Sequence, residues 1–302
     1  MKNYFFYNNF LNVLEDRAIL DEEKNLEKIS IVMPSYNKVD FIERSILSVL
    51  NQNYPNIELI IIDGGSTDGT VEIIKKYEQY ITFWISEKDQ GQSDALNKGF
   101  KHCTGSIYGF LNSDDVYLPD AFKYSSLVLE KNLDKKVVFG DWLSIDKKDV
   151  IIDYNHAFDF NLNHFKYEGF HLSATSMFWR SEVHKRFSGF DNNLYYTMDY
   201  QLILEFGINE GEYSFKRVPK VLAGFRRYEG QKTTGSMDAD VIEEHKLMAK
   251  RYEYPDKYEL IGKIKRFYFR MRRTWWYIKR GGVSNLILRL KSLYVNIIKV
   301  KF

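Results

Sequence analysis

The chain has 302 residues, of which 44% are hydrophobic and 28% are charged. This composition is ordinary for a soluble globular protein, and the length allows one large or two small domains. A single cysteine, Cys103, excludes an intrachain disulfide and a cysteine metal cluster. Apolar runs are shorter than the roughly 18 residues that cross a bilayer, and no signal-peptide pattern is present, so we expect neither secretion nor a membrane span.

The formal net charge of +2 is unevenly distributed, because residues 260–302 contain twelve Lys or Arg and no Asp or Glu. By difference, the rest of the chain carries about ten negative charges. An acidic body argues against a nucleic-acid partner, whereas the basic tail indicates an anionic surface.

Residues 1–28 mix aromatic residues with acids and helix formers, which predicts an amphipathic lead-in helix. From residue 29, short apolar runs alternate with helical periods. The predicted strands are 29–33, 57–62, 81–85 and 107–111, and the predicted helices between them are 39–51, 67–78 and 91–102. Such alternation indicates an α/β fold in which helices cover both faces of a parallel sheet.

Beyond about residue 140 the pattern predicts a mixed, partly antiparallel extension. Further predicted helices are 120–129, 197–208, 238–252, 256–280 and 283–299, and short strands are predicted at 213–217 and 220–225. The predicted organisation is the lead-in helix at 1–28, one α/β domain at 29–240 and a basic helical tail at 241–302.

Polar clusters follow each of the four predicted parallel strands, at 34–37, 63–69, 87–91 and 112–115. Ligands bind at the carboxyl ends of the strands in such sheets, so we expect these four loops to line one crevice.

The adjacent acids Asp114 and Asp115 end the fourth predicted strand. Two neighbouring carboxylates repel one another, which indicates Mg²⁺ or Mn²⁺ between them. Such a cation completes its shell with phosphate oxygens, so a diphosphate is the expected ligand. The alternative is that both acids only place negative charge near the amino end of the helix at 120–129, where the helix dipole favours it.

Asp63 and Tyr36 are candidates for binding a nucleoside. A carboxylate accepts hydrogen bonds, which suits the N3–H of uracil or thymine, and an aromatic ring can stack on a base. The alternatives are an ordinary strand-to-helix turn for Asp63 and packing for Tyr36. The glycine spacings of dinucleotide folds and phosphate loops are missing from the sequence.

Asp199 lies at the start of a predicted helix. It is either a general base or an acid whose negative charge interacts favourably with the helix dipole. Arg226, Arg227 and Lys232 form a basic loop that either neutralises a leaving diphosphate or contacts the acceptor, or is simply solvated. In the tail, apolar and basic residues at helical spacing with Trp275 and Trp276 suit an anionic membrane, or else pack on another part of the protein or another subunit.

Six motifs occur in a fixed order: VMPSYN (32–37), SVLNQ (48–52), IDGGSTDGT (62–70), DALNKG (94–99), LNSDD (111–115) and GFD (189–191) followed by MD (198–199). They lie within residues 31–204, which is more than half of the chain. This segment resembles a family 2 glycosyltransferase of the GT-A fold, bacterial polysaccharide-synthesis type. Two departures are Asn112, where the family usually has Asp, and Met198, where it commonly has Glu.

The resemblance implies roles for individual residues. The nucleotide-binding set is Pro34, Ser35, Tyr36, Asn37, Asp63, Asp94, Asn112 and Ser113; the metal ligands are Asp114 and Asp115; the base is Asp199; and leaving-group or acceptor contacts come from Arg226, Arg227 and Lys232.

The implied activity is metal-dependent, inverting transfer of a sugar, as in hexosyltransferases, from a nucleotide-diphosphate sugar to a hydroxyl. UDP- or dTDP-sugars are the favoured donors, and the acceptor is a glycan or lipid-linked glycan in cell-surface polysaccharide synthesis. The expected location is the cytoplasm, peripheral on the inner membrane face through residues 260–302. The sequence leaves open whether the protein forms a homo-oligomer. The alternatives are an inactive glycan-binding or scaffold protein of the same fold and a sugar nucleotidyltransferase.

Overall fold

A computed structural model describes residues 26–169, 171–232, 239–276 and 278–279. The chain divides into two compact units, Met1–Leu162 with Phe170–Glu244 and Asn163–Gly169 with His245–Phe302. The predicted helix at 283–299 and nearly all of the predicted lead-in helix at 1–28 lie outside the described residues. The domain boundaries placed at 28/29 and 240/241 stay predictions.

The first unit begins with the alternation of strands and helices that the sequence predicts. The strands are β1 (Ile29–Ser35), β2 (Ile57–Asp63), β3 (Phe83–Ser86) and β4 (Ile107–Phe110), and the helices are α1 (Ile42–Leu50), α2 (Thr70–Lys76) and α3 (Gln92–Phe100). β1 pairs in parallel with β2 and β4, and β2 pairs in parallel with β3. All of β1 and β4 is buried, which explains their nearly continuous apolar sequence.

The remaining strands extend this sheet in a mostly antiparallel manner. They are β5 (Val116–Tyr117), β6 (Val137–Ile145), β7 (Ile151–Asn155), β8 (Met177–Arg180) and β9 (Phe215–Arg226). The strand order is β3-β2-β1-β4-β8-β6-β9-β5, and β7 pairs with β6. The predicted mixed extension is confirmed.

The two strands predicted at 213–217 and 220–225 are one continuous strand, β9, so that prediction was wrong. Pro219 lies between the two predicted strands and has no N–H to give to a ladder. The structure accommodates Pro219 in a register shift, because Gly140 of β6 pairs with Val218 and the next residue, Asp141, pairs with Val221. A Cβ on Gly140 would lie 2.6 Å from the Lys220 carbonyl oxygen, so only glycine allows this approach.

Further helices of the first unit are α4 (Ala121–Lys131), α6 (Ser181–His184) and α7 (Met198–Glu210), whereas α5 (Leu162–Glu168) and α8 (Ala239–Arg251) each have residues in both units. A last helix, α9, covers 260–276 and 278–279 in the second unit. It begins four residues later than predicted, because turns occupy the residues around Pro255. Among the described helices, none has the length and apolar character needed to cross a membrane.

The second unit is held together around α5 and α9. Phe269 is 7% exposed, and its ring centroid lies 5.3 Å from that of His164 and 6.0 Å from that of Tyr167. Glu168 accepts hydrogen bonds from Arg270 and forms an ion pair of 2.7 Å with Arg273. One face of α9 is therefore fixed by both packing and charge.

Candidate active site

The loops after β1 and β2 are joined at the carboxyl edge of the sheet. The Asn37 backbone N–H donates to Ser66 Oγ at 2.7 Å, and the Thr67 N–H donates to Asn37 Oδ1 at 3.0 Å. The Gly64 N–H also donates to the Ser35 carbonyl at 2.8 Å. Asn37 has a φ of 50°, a left-handed conformation that Asn adopts more readily than most residues. Asn37 therefore links the two loops.

Three other predicted nucleotide-binding residues precede Asn37 and differ in exposure. Pro34 is buried at the end of β1. Ser35 is 5% exposed, and within the described part of the chain its Oγ has no hydrogen-bond partner. Tyr36 is 60% exposed. Because a buried hydroxyl without a partner costs free energy, Ser35 is a candidate for bonding a ligand, and the Tyr36 ring is accessible for stacking.

Asp63 is fully buried at the end of β2, and its carboxylate accepts hydrogen bonds from neighbouring residues of the protein. Oδ2 accepts from the backbone N–H groups of Gly65 (3.2 Å) and Ser66 (2.8 Å) and from Ser86 Oγ (2.7 Å). Oδ1 accepts from Ser66 Oγ at 2.6 Å. These contacts indicate that Asp63 shapes the turn at 63–69, and its direct bond to a base stays a prediction.

The third loop leads into α3, where Asp94 lies. Asp94 Oδ2 accepts from the Gln90 N–H at 3.2 Å and is 3.1 Å from Lys98 Nζ. Nearby, a Cβ on Gly64 would lie 2.9 Å from Asp89 Oδ2, so Asp89 packs directly against the turn after β2. Burial, and then the negative charge of Asp94, raise the pKa of Asp89. The contacts shown for Asp94 stabilise the start of α3, and its contact with a nucleotide stays a prediction.

A chain of side-chain hydrogen bonds connects the fourth loop to Lys232. Asn112 Nδ2 donates to Asp115 Oδ2 at 3.1 Å, and Asn112 Oδ1 accepts from Gln92 Nε2 at 2.7 Å. Gln92 Oε1 in turn accepts from Lys232 Nζ at 3.2 Å. Ser113 is buried within this loop. The structure therefore brings Asn112 and Lys232 into one network.

Asp114 is 6% exposed and meets two side chains that the sequence analysis did not single out. Tyr228 Oη donates to Asp114 Oδ2 at 2.7 Å, and Lys38 Nζ lies 3.1 Å from the same oxygen. Lys38 Nζ also donates to Tyr228 Oη at 2.5 Å. Burial and the negative charge of Asp114 raise the pKa of Tyr228 well above its ordinary value. Asp114 therefore faces an ammonium group and a phenol.

Asp115 is fully buried behind Asp114. Its Oδ1 accepts from the backbone N–H of Arg226 at 2.8 Å, and its own carbonyl accepts from Ser45 Oγ at 2.6 Å. Burial, and then the negative charge of Asp114, raise the pKa of Asp115. Asp115 thus anchors the loop, and its part in metal binding stays a prediction.

Arg226 is fully buried, and each part of its guanidinium is used inside the protein. Nε donates to the Asp114 carbonyl at 2.6 Å, Nη1 to the Asp146 carbonyl at 2.7 Å and Nη2 to Asp149 Oδ1 at 2.5 Å. Arg44 Nη1 donates to the other oxygen of Asp149 at 2.8 Å. This burial contradicts a direct contact between Arg226 and a leaving group or acceptor: the side chain supports the acid loop from within the fold.

The next residue, Arg227, is exposed at the end of β9, and Lys232 is partly exposed. Both remain predicted contacts for a leaving group or acceptor.

Asp199 lies in the first turn of α7 and is partly buried. Burial raises its pKa from 3.8 to about 6, although a bond from the Tyr200 N–H and the charge of Lys232 act in the opposite direction. Burial lowers the pKa of Lys232, against which the charge of Asp199 acts. A carboxyl with a pKa near neutrality is suited to accepting a proton.

Glu244, on α8, holds the segment that precedes Asp199. Its carboxylate accepts hydrogen bonds from the backbone N–H groups of Tyr195 (2.8 Å), Tyr196 (3.0 Å) and Thr197 (2.8 Å) and from Thr197 Oγ1 (2.9 Å). Thr197 is the N-cap residue of α7. A carboxylate from another helix therefore satisfies N–H groups at the amino end of α7, where its charge also favours the helix dipole.

The acid loop can offer a divalent cation one carboxylate. Within the described residues, no group of three or more His, Cys, Asp or Glu side chains is arranged to hold a metal ion. The side-chain contacts of Asp114 with Tyr228 and Lys38 both use Oδ2, and no hydrogen bond from the described residues reaches Oδ1. Magnesium is commonly bound through one or two carboxylates together with substrate phosphates. The residues thus fit a cation that shares its ligands with a bound diphosphate.

Lys38, Tyr228, Gln92 and Glu244 are site residues that the sequence analysis missed. Lys38 and Tyr228 are 190 positions apart, so no local pattern connects them. Gln92 gave a weak signal, because it lies beside the motif that begins at Asp94. Glu244 lies on a helix that appeared to belong to the tail, and nothing in its surroundings distinguishes it from a solvated acid.

Two solved structures illustrate the fold that this chain shares with known proteins. The structure of S. aureus TarS residues 1–349 in complex with UDP-GlcNAc aligns with a TM-score of 0.63 and 19% identity over 84% of this chain and 74% of that chain. The mannosyltransferase PcManGT from Pyrobaculum calidifontis, in complex with GDP-Man and Mn²⁺, aligns with a TM-score of 0.56 and 15% identity over 95% of this chain and 87% of that chain. These likenesses confirm the predicted GT-A fold.

Curated relatives match over shorter stretches. An uncharacterized glycosyltransferase of Rickettsia typhi is 32% identical over 191 residues, which is 59% of this chain and 58% of the relative. TuaG of Bacillus subtilis, whose name places it in teichuronic acid biosynthesis, is 40% identical over 95 residues, 30% of this chain and 38% of TuaG. The chain spans about half the length of the curated relatives it matches.

The sequence pattern that defines glycosyl transferase family 2 matches residues 30–187, more than half of the chain. That stretch contains the joined loops after β1 and β2 and the acid loop of Asp114. The chain therefore belongs to glycosyl transferase family 2.

Proposed function

We propose that this protein transfers a sugar from a nucleotide-diphosphate sugar to a hydroxyl group, with inversion at the anomeric carbon. The observation that most supports this proposal is the chain of hydrogen bonds from Asn112 through Gln92 to Lys232, whose charge acts on the pKa of Asp199. It connects the acid loop, where a diphosphate is expected, with the proposed base.

The proposed donor is a UDP- or dTDP-sugar. Support comes from TarS, which was crystallised with UDP-GlcNAc, whereas PcManGT was crystallised with GDP-Man. In this chain, the accessible Tyr36 ring and the unpartnered Ser35 hydroxyl are suited to a nucleoside. Stacking on Tyr36 is tolerant of the base, so the choice of base rests on the turn at 63–69.

In the proposed reaction, Asp199 accepts the proton of the attacking hydroxyl. The hydroxyl oxygen forms a bond to the anomeric carbon while the bond from that carbon to the diphosphate oxygen breaks. The electron pair leaves with the nucleoside diphosphate, and attack from the opposite face inverts the anomeric configuration. Lys232 lies where it can hold either the acceptor or the leaving group in place, and Arg227 is a second candidate for this role.

A Mg²⁺ or Mn²⁺ ion is the proposed cofactor, with Asp114 as its protein ligand. When bound, such an ion would supply positive charge against the developing charge of the diphosphate. Lys38 already brings an ammonium group to Asp114 Oδ2, so its charge and that of the cation would act on the same carboxylate.

The proposed acceptor is a glycan or a lipid-linked glycan in cell-surface polysaccharide synthesis. TuaG supports this class through its name, which refers to teichuronic acid. We place the protein in the cytoplasm, peripheral on the inner membrane face. The basic sequence of 260–302 supports that location.

An inactive binding protein of the same fold is the second candidate. The observations that favour it are Asn112 at the first position of the acid loop and the ion pair of Lys38 with Asp114, since both reduce the negative charge available to a cation. Activity that is lost in both Asp114→Asn and Asp199→Asn would exclude this candidate.

The first experiment is thermal unfolding with UDP, dTDP, GDP, CDP and ADP, each with and without Mn²⁺. A ligand at 100 times its dissociation constant stabilises a protein by about 2.7 kcal/mol, which is readily measured. We expect one pyrimidine diphosphate to give a metal-dependent shift that Asp114→Ala abolishes. If no nucleotide shifts the protein, the binding-protein candidate replaces the enzyme. NMR of the product's anomeric proton then tests inversion.

A further inference from the structure

Helix α9 presents an exposed apolar stripe, which we define as Ile261, Ile264, Phe267, Tyr268, Met271 and Trp275. These side chains are between 54% and 67% exposed. At 100° per residue, the six positions fall within an arc of about 120°, so they form one continuous face along the helix. Contiguous apolar surface of this kind is uncommon on a soluble protein and usually marks an interaction site.

The opposite face of α9 is packed, so the stripe is not the exposed side of an isolated helix. Phe269 is buried against His164 and Tyr167. A Cβ on Gly262 would collide with the Asp256 carbonyl oxygen, which shows how closely the helix approaches the preceding turn. The orientation of the apolar stripe is therefore fixed within the second unit.

Positive charges flank the apolar stripe on both sides. Lys263 and Arg270 project next to one edge, and Lys265 and Arg272 project next to the other, as judged from their helical positions. All four side chains are exposed. Asp and Glu do not occur anywhere in 260–302. Arg270 is paired with Glu168 of α5 at 3.0 Å, so a surface that covered the stripe would meet three further cations, Lys263, Lys265 and Arg272.

We propose that the apolar stripe of α9 inserts into the interface of an anionic membrane, with Lys263, Lys265 and Arg272 contacting lipid headgroups. An apolar face bordered on both sides by cations, with an aromatic residue at its edge, matches the chemistry of a membrane interface better than that of a second protein chain. This inference rests on the proposed function and deepens it, because it names the surface that would bring the protein to a membrane that holds a lipid-linked acceptor.

The test is flotation of the full-length protein with phosphatidylcholine vesicles that either contain or lack phosphatidylglycerol. We expect binding only when phosphatidylglycerol is present. The double variant I264D/F267D and the charge reversal K263E/R272E should each lower the vesicle partition coefficient by at least about tenfold. Leu133→Asp is the matched control, because Leu133 is an apolar residue in the first unit with 79% exposure, and it should bind like the wild type.

A second measurement tests the membrane contact directly, through the fluorescence of Trp275 in the apolar stripe. Lipids brominated in their acyl chains should quench the fluorescence of Trp275, taken as the difference between the wild type and Trp275→Phe. Wild-type binding that survives I264D/F267D, or an absence of Trp275 quenching, would overturn the proposal. The proposal would also be overturned if the wild type failed to float and a stripe variant dissociated a dimer. The stripe would then contact a second copy of this chain.

The nucleotide-binding experiment needs no vesicles. Failure of membrane binding therefore leaves the proposed reaction intact, and failure of nucleotide binding leaves the membrane surface intact.

Discussion

The carboxylate of Glu244 accepts hydrogen bonds from both the backbone N–H and the side-chain hydroxyl of Thr197, at 2.8 Å and 2.9 Å. Thr197 precedes the helix that carries Asp199, so a residue 47 positions further along the chain holds the start of α7. Glu244→Ala leaves the partly buried N–H groups of Tyr196 and Thr197, and the exposed N–H of Tyr195, without their acceptor. We expect the free energy of unfolding to fall by about 1–3 kcal/mol, measured by urea denaturation.

Asp240→Ala on the same helix is the matched control for this prediction. Asp240 is exposed and should change the free energy of unfolding by less than about 0.5 kcal/mol. Equal effects of the two variants would mean that α8 tolerates the loss of the Glu244 contacts.

The raised pKa of Asp199 predicts a pH-dependent effect on stability. Its folded-state pKa of about 6 exceeds the ordinary value of 3.8, so the unfolded chain loses the proton first as the pH rises. Ionised Asp199 then destabilises the folded state by about 1–2 kcal/mol. This is less than the pKa difference alone would give, because the side chain is partly exposed and solvent screens its charge. Relative to the wild type, Asp199→Asn should gain stability as the pH rises from about 4 to 6 and then level off. A difference in unfolding free energy that is flat with pH would contradict this prediction.

The activity should depend on the same group. As a base, Asp199 must be ionised, so kcat/KM should fall below about pH 6. The charge of Lys232 lowers the pKa of Asp199 and that of Glu244 raises it, so their removal should shift this acidic limb in opposite directions. We expect the limb to move to higher pH in Lys232→Met and to lower pH in Glu244→Gln. Shifts in the same direction would show that the variants act through structure rather than through charge.

The ion pair of Lys38 with Asp114 predicts how the site responds to divalent cations. Removing the ammonium group leaves the negative charge of Asp114 without its neighbouring positive charge. With nucleotide at saturation, Lys38→Met should therefore reach half of its Mn²⁺-dependent thermal shift at a lower Mn²⁺ concentration than the wild type. Lys38→Arg retains the charge and is the control. A higher Mn²⁺ requirement in Lys38→Met would instead mean that Lys38 helps to hold the diphosphate.

Arg226 and Arg227 are neighbours in sequence whose replacement should have very different effects. Arg226→Met would leave Asp149 buried with part of its charge compensation gone, and removal of one partner from a buried ion pair commonly costs about 3–5 kcal/mol. Arg227→Met changes an exposed side chain and should cost less than about 0.5 kcal/mol. Similar urea midpoints for both variants would argue against a supporting role for Arg226.

The contrast between these two arginines shows what the sequence could and could not predict. The parallel strands were predictable, because burial on both faces demands continuous apolar runs such as that of β1. In β9, the sequence near 226 reads as a basic loop, and only the pairing of Arg226 with Ile145 of β6 reveals that it is still within a strand. The contacts of Lys38 with Tyr228 and of Glu244 with Thr197 depend on how distant segments meet, which periodicity does not encode.

The hydrogen bonds that Asn37 makes with Ser66 and Thr67 mean that the loops after β1 and β2 are ordered by one another before any ligand arrives. Neither loop can open without breaking the bonds that hold the other. A nucleotide entering there would have little conformational freedom of the protein left to remove, so more of its contact energy would appear as affinity. This rim of the crevice is accordingly preorganised, and any adjustment to a ligand would fall to the residues beyond it.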